Sequence, residues 1–436
     1  MEPILLIIIF ILFIVIILSY SKSGLDFVAI SLICCFIAAT ITGLVKGIGI
    51  NTFILSIEWE AIIIILSMSI ITKIAQDSNI LEFVAVKLFK FSRGEQRIFF
   101  WYLCIITTLL AAIISDVVVV LILAPIVIRL CHFLKIRAGT YLLGMTICIN
   151  IGSILTPFSS GENIIISTAI TAAGIAKLDT LYFIQYYWGF SFFLLFATIF
   201  LIDRFVLRKE PKIEDLQKKY VIDLINTDIM VKNKKMFYFN SIAIIITIIL
   251  FAVLPLLYLT AAISALILVL VNRSYTKKPM SELLKDIEWE IIFFFISLYV
   301  VIECLLQAGF QDLITQIPFE MFNPFLISFF LLIVVSFISG VVANTPTALI
   351  FIPIVQTLAN NFGSVPLLFS FIIGINIGGN FIPQGAACDM MTLKIARDSG
   401  VENMSYKRLL KMGGAFALIH LGFSIIFLLI LVPIFG

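Results

Sequence analysis

The chain has 436 residues, 62% of them hydrophobic and 13% charged, with a net charge of +3 and a mean hydropathy of +1.18. A water-soluble domain is about half apolar and a quarter charged, because it needs a polar skin. The composition therefore excludes a soluble enzyme, a disordered chain and a nucleic-acid binder, and it predicts an all-α polytopic membrane protein.

Taken in chain order, single spans are predicted at 4–20, 25–45, 60–76, 182–206, 237–255, 259–272, 289–306 and 410–435. The first follows Met-Glu-Pro without a basic region or a small-residue cleavage site, so it reads as a retained span. The stretch 77–95 sets Ile80, Phe83, Val84, Val86 and Leu88 at helical spacing beside Lys87 and Lys90, the pattern of an interfacial helix. Stretches 141–171 and 366–395 are apolar with polar residues near their middles. Stretches 98–134 and 323–360 read as two apolar arms meeting at a short polar tip. A crossing needs about 20 apolar residues; the arm 346–357 is shorter, which favours re-entrant hairpins.

Basic residues set the predicted orientation. Nine of the 29 lie in 204–235, which is placed in the cytoplasm; alternating outward from it puts 27 inside and leaves Lys46 and Lys177 outside. The expectation is ten crossings, two re-entrant hairpins, both termini outside and a cytoplasmic linker at 207–236. That linker also holds Glu210, Glu214, Asp215, Asp223 and Asp228. A tail that binds acidic lipid or a regulatory partner is its second reading. The seven cysteines show no metal spacing and read as packing residues. With two histidines, His132 and His420, a histidine-ligated metal centre is not expected. His132, beside a basic cluster, reads as a surface residue.

The chain repeats itself. IEWE at 57–60 recurs at 287–290. SDVVVVLILAPIV (115–127) aligns with NTPTALIFIPIV (344–355), pairing Asp116 with Asn344 and Pro125 with Pro353. INIGSILTPFSSGENIIIS (149–167) aligns with INIGGNFIPQGAACDMMTL (375–393). The offsets, 226 to 230, are nearly constant and the order is kept. The halves 1–206 and 237–436 each hold five crossings and a hairpin; five is odd, so the second copy is inverted. Inverted repeats meeting around a central site belong to secondary transporters. The two IEWE segments read as interface anchors at helix starts.

Backbone inside a bilayer is irregular only where protein or a wet cavity satisfies it. Four polar breaks occur in two symmetric pairs. The hairpin tips are Ser115-Asp116 and Asn344-Thr345-Pro346-Thr347. The helix breaks are Thr156-Pro157-Phe158-Ser159-Ser160-Gly161-Glu162-Asn163 and Pro383-Gln384-Gly385-Ala386-Ala387-Cys388-Asp389. Half-helix ends there offer N–H groups to anions and C=O groups to Na⁺. The predicted contacts to substrate or ion are Ser115, Asp116, Thr156, Ser159, Ser160, Gly161, Glu162, Asn163, Asn344, Thr345, Pro346, Thr347, Gln384, Gly385, Ala386 and Asp389. Na⁺ is considered at Asp116, Asn163, Asn344 and Asp389, and no other metal is expected. A central acidic residue costs roughly 2.5–3.5 kcal/mol to insert, and no Lys or Arg lies in the breaks. Asp116, Glu162 and Asp389 therefore point to coupling with H⁺ or Na⁺; Glu162 and Asp389 as helix caps is the structural reading. Glu303 aligns with Lys73; the two read as functional groups, as structural partners, or as residues near the membrane interface. No GxxxxGK[ST], HExxH or GxSxG motif is present, so neither an enzyme nor a cofactor is expected.

The stretches 57–94, SDVVVVLILAPIVIRLC (115–131), NIGSILTPFSSGEN (150–163), ANTPTALIFIPIV (343–355) and NIGGNFIPQGAACDMM (376–391) carry a resemblance. The chain resembles the ion transporter superfamily of arsenite efflux pumps, D-type sodium/proton antiporters, the melanosomal P protein, and citrate or dicarboxylate/sodium symporters. The resemblance implies an elevator-type transporter, commonly a homodimer, with scaffold helices early in each half. The hairpins, broken helices and following spans would form the mobile domain. In the symporters, Ser-Asn-Thr motifs near the tips bind Na⁺ and substrate carboxylate. Here Asn344-Thr345 keeps that pattern, whereas Ser115-Asp116-Val117 is closer to the pump and antiporter branches. Glu162 is an addition to the usual break sequence.

The expectation is a secondary active transporter in the plasma membrane for a small inorganic ion or oxyanion, coupled to H⁺ or Na⁺, with proton-linked antiport or efflux favoured. The alternative is Na⁺-coupled symport of a di- or tricarboxylate or sulfate-like anion; a channel-like conductor is more remote. If the chain is arsenite-pump-like, a separate ATPase subunit would be its partner.

Overall fold

The structure is a computed structural model. It describes residues 3–21, 25–93, 95–210, 231, 233–254, 256–276, 280–285, 287, 289–310, 312, 323–359 and 361–435. Most of the expected linker, 211–230 and 232, lies outside the described residues.

The first half runs α1 (Pro3–Ser21), α2 (Phe27–Lys46), α3 (Ile50–Leu55), α4 (Trp59–Asp77), α5 (Ile80–Phe91), α6 (Gln96–Ala111), α7 (Asp116–Phe133), α8 (Gly139–Gly152), α9 (Gly161–Ala172), α10 (Thr180–Phe183) and α11 (Gly189–Phe205). A π-helical turn, Ile184–Trp188, joins the last two into one rod. The second half runs α12 (Lys234–Val253), α13 (Leu257–Thr276), α14 (Met280–Lys285), α15 (Trp289–Gln307), α16 (Pro324–Val342), α17 (Asn344–Ala359), α18 (Ser364–Gly378), α19 (Ala387–Asp398) and α20 (Tyr406–Phe435). The described elements are all helical. Eight helical segments are long and apolar enough to cross a membrane, and five shorter ones are apolar. Leu44, Leu55 and Val253, 72 to 82% exposed, belong to an apolar outer skin that suits lipid and not water.

The repeat read from three sequence blocks extends through the helices. α3 and α14 have six residues each, α4 and α15 have 19 each, and α9 and α19 have 12 each. The IEWE motif has the same local job twice. The indole N–H of Trp59 donates to the Ile54 carbonyl at 3.2 Å, and that of Trp289 to the Leu284 carbonyl at 2.7 Å. Each tryptophan ties the short helix to the long one that follows, and both rings stay exposed, as interface anchors do.

The copies interlock. α4 packs against α13 of the other half, and α15 against α2. Likewise α7 packs against α19 and α17 against α9. Within each half the hairpin's first arm lies on the broken helix, α6 on α8 and α16 on α18. These close approaches need glycine: a Cβ at Gly152 would collide with the Thr108 carbonyl, and one at the equivalent Gly378 with that of Ser336. Small residues at such crossings let helix backbones touch, the usual means of association in lipid.

α5 forms where an interfacial helix was expected. The Lys87 ammonium lies 5.2 Å from the centroid of the Phe83 ring and 5.8 Å from that of Phe91, so the charge and the rings share one surface. All seven cysteines are buried and unpaired. Glu303 and Lys73 do not pair as aligned partners: Lys73 meets Asp77 at 3.6 Å, and Glu303 accepts from Gln307 at 2.7 Å. Each finds a neighbour one turn along its own helix.

Candidate functional site

Both hairpins and both breaks are present, with corrected boundaries. The first irregular segment is 153–160 and the second 379–386. Glu162, Asn163, Cys388 and Asp389 lie in the first turns of α9 and α19, not in unwound chain. For α9 the cause is capping: Ser160 is the N-cap and accepts from the Asn163 N–H at 3.4 Å, so the helix resumes at Gly161, four residues after Pro157. The tips also differ from expectation. At the second, α16 and α17 are separated by Ala343 alone, with φ +87° and ψ 160°, a conformation that essentially only glycine adopts without strain.

The first break is stitched together by its own side chains. Ser159 Oγ donates to the carbonyls of Ser153 and Thr156 at 2.6 and 2.9 Å. Asn163 Nδ2 donates to the same two carbonyls. Thr156 Oγ1 donates at 2.6 Å to the Ala112 carbonyl beside the first tip. The carbonyls of Ser153 at the α8 C-cap, of Thr156 in the break and of Ala112 at the end of α6 are thereby satisfied within the protein. In the second break, Gln384 is turned away to accept from Tyr406 Oη at 2.6 Å. Gly385 and Ala386 are buried backbone positions in and after a short 3₁₀ turn. Pro346 and Thr347 are buried and Thr345 partly so; the Thr347 hydroxyl bonds back to the Ala343 carbonyl.

The decisive contacts run between copies. Asn344 Nδ2 at the second tip donates to Glu162 Oε1 at 3.1 Å, while Asn344 Oδ1 accepts from Ser339 Oγ at 2.7 Å. Asn376 Nδ2 donates to Asn163 Oδ1 at 3.2 Å, and Asn150 Nδ2 to Asn380 Oδ1 at 2.8 Å. Thr146 Oγ1 donates to Asp389 Oδ1 at 2.5 Å. Asp116 Oδ1 accepts from the Val117 N–H and from Ser115 Oγ at 2.8 and 3.4 Å. It is close enough to interact electrostatically with both Glu162 and Asp389. Three carboxyls on α7, α9 and α19 thus lie near one another. Glu162 is 6% exposed and Asp389 1%. Their partners named above are all uncharged, and in a low-dielectric setting an ionised cluster of this kind calls for protons or cations.

A cavity of about 230 Å³ opens beside this crossing. Ser115 and the Ser159–Gly161 backbone form one wall; Ser69, Thr72 and Lys73 of α4 and Phe295 of α15 form the other. The N-terminus of α9 ends on it, which favours negative charge. Sequence reasoning missed Lys73 as a lining residue, because its position inside a span carries no motif. It also missed Thr146, Asn150, Asn376 and Asn380. The recurring INIG, containing Asn150 and Asn376, was the available signal for two of them.

Interlocked inverted halves around paired hairpins and broken helices define a transporter. The citrate transporter family model (CitMHS) matches residues 4–374, and the chain belongs to that family, whose members are transporters and not enzymes. An uncharacterized transporter of Mycobacterium bovis is 22% identical over 85% of this chain and 86% of its own. The arsenical pump membrane protein of Escherichia coli is 24% identical over 82% and 83%. Among solved structures, the YdaH transporter of Alcanivorax borkumensis superposes with a TM-score of 0.64 at 10% identity, covering 88% of this chain and 87% of that one. MtrF of Neisseria gonorrhoeae, from a class of antimetabolite efflux pumps, gives 0.61 at 12% identity, covering 91% and 85%. These two share the fold. The protein is a multi-pass membrane protein and a secondary transporter of the citrate transporter and arsenical pump type.

Proposed function

We propose that the protein moves a small inorganic ion or oxyanion by proton-linked antiport or efflux. The observation that carries this reading is the convergence of Asp116, Glu162 and Asp389 on three elements of both copies, held by uncharged partners. Carboxyls placed so can exchange protons or hold Na⁺ while the site changes sides. The cavity wall divides between a scaffold, α4 and α15, and a mobile unit of hairpins and broken helices, which suits an elevator motion. For Asn163 and Asn344 to ligate Na⁺, each Oδ1 would share its present donor, Asn376 Nδ2 and Ser339 Oγ respectively. A homodimer, a plasma-membrane location with both termini outside, and a cytoplasmic 207–236 belong to the same proposal, as does an ATPase partner if the solute is arsenite.

Lys73 supports a second reading, Na⁺-coupled uptake of a di- or tricarboxylate or sulfate-like anion. Lys73 and the α9 N-terminus line one cavity, an arrangement that complements an anion. Proteoliposome flux of Na⁺, arsenite, sulfate, phosphate, citrate and succinate under imposed pH or Na⁺ gradients separates the two. Asp116→Asn is expected to cut pH-driven flux about tenfold or more. Flux and pH dependence equal to wild type would remove the case for proton linkage.

A further inference from the structure

The repeat places two equivalent joints where the broken helices meet α9 and α19, and their chemistry differs. Asn376 bonds to Asn163 at one joint; the equivalent positions at the other are Asn150 and Asp389, where Asn150 instead donates to Asn380 Oδ1 and accepts from the Cys388 thiol. Around Asn163 the neighbouring equivalent positions are Ile372 and Ile166, both fully buried. Around Asp389 they are Thr146 and Thr392, also fully buried. Thr146 Oγ1 donates to Asp389 Oδ1 at 2.5 Å, and Thr392 Oγ1 lies 3.4 Å from Thr146 Oγ1. The Asn–Ile version shows that the joint packs without an acid or hydroxyls. Packing therefore does not explain the acid, which costs more to bury than the amide.

Asp389 Oδ2 has no hydrogen-bond partner although it is buried. The titratable groups facing Asp389 are Asp116 on α7 and the Cys388 thiol on its own helix. From α8 it meets only Thr146 and Asn150, both neutral. The Cys388 thiol donates to Asn150 Oδ1 at 3.1 Å, and Asp116 is close enough to interact electrostatically with both Cys388 and Asp389. Asp389 thus has the Cys388 thiol and the tip carboxyl near it, and the Thr146–Thr392 pair reaches it between α8 and α19.

We propose that Asp389 Oδ2 is where the coupling proton resides, and that Thr146 and Thr392 are positioning residues that hold this carboxyl between α8 and α19. This deepens the proton-linked reading and rests on it. The step is an association: a proton adds to the carboxylate at Oδ2 and leaves as the site changes sides, with no bond between heavy atoms formed or broken.

The test is carbodiimide labelling of the full chain in lipid vesicles, since dicyclohexylcarbodiimide modifies protonated carboxyls from the apolar phase. The expected result is a label on the peptide holding Asp389, suppressed by rising pH and indifferent to Na⁺. No label at any pH, or protection by Na⁺ at constant pH, overturns the assignment. Thr146→Val keeps the shape and is expected to move the half-suppression pH by about one unit or more; an unmoved value overturns the positioning role. In the flux panel, Asp389→Asn, which copies the Asn163 joint, is expected to lose pH-driven accumulation about tenfold or more. Wild-type flux driven by pH with no loss in Asp389→Asn sinks this inference alone. Wild-type flux indifferent to pH sinks the proton-linked reading.

Discussion

At the scale of single residues, the site combines satisfied polar groups with two local liabilities. Ala343 is held in a glycine-only backbone region at the second tip, whereas Ser115 at the first sits at φ −46°. Such strain costs of order 1–3 kcal/mol and collects where function needs a fixed geometry. Ala343→Gly is therefore expected to stabilise the purified protein by about 1 kcal/mol, read as a higher unfolding temperature in detergent. Ser115→Gly should give no such gain, and equal shifts for both would refute the strain argument. Gly161 is the other sensitive position, because a Cβ there would lie 3.2 Å from the Phe295 ring across the cavity. Gly161→Val is expected to fill the cavity and lower solute flux about tenfold or more, with a smaller effect on stability, about 1–3 kcal/mol. Flux unchanged against normal expression would show that solutes pass elsewhere.

At the scale of elements, the hairpins are fixed from both ends. At the tip of the first, Thr156 bonds to the Ala112 carbonyl. At its base, Arg97 forks onto Asp203 of α11 through Nε and Nη2. The carboxyl of that pair is 2% exposed and the guanidinium 56%. Removing only the cation leaves a buried carboxylate that water reaches through the exposed side of the pair, so Arg97→Ala is expected to cost roughly 1–2 kcal/mol. The paired change with Asp203→Asn should recover part of it in the same unfolding measurement; a double variant no better than the single would show the pair is not what anchors α6.

At the scale of the whole molecule, the crossed packing makes each half depend on the other. α4 needs α13, α2 needs α15, and each hairpin's second arm needs the opposite half-helix. Residues 1–210 and 231–436 expressed separately should each fail to accumulate in the membrane, and should co-purify when expressed together. Either half accumulating alone as a stable species would contradict interlocking. The same crossing explains why the site draws on both copies: with α7 on α19 and α17 on α9, Asp116 faces Asp389 and Asn344 faces Glu162.

The sequence by itself determined the membrane class, the helices, the duplication and the four polar interruptions. Hydropathy, helix breakers and a self-offset are local properties that survive without a fold. It also named Asp116, Glu162 and Asp389, because a lone acid in an apolar run stands out at any position. Break boundaries were displaced because capping by Ser160, not proline, decides where α9 restarts. Only the tertiary structure decided that Lys73 lines the cavity beside Ser115 and that Thr146 reaches Asp389 from a helix 243 residues away in sequence. A lysine one turn from an aspartate, or a threonine inside an apolar helix, looks ordinary along the chain; its meaning comes from the element that crosses it, and crossings are set by the packing of two inverted copies rather than by either one.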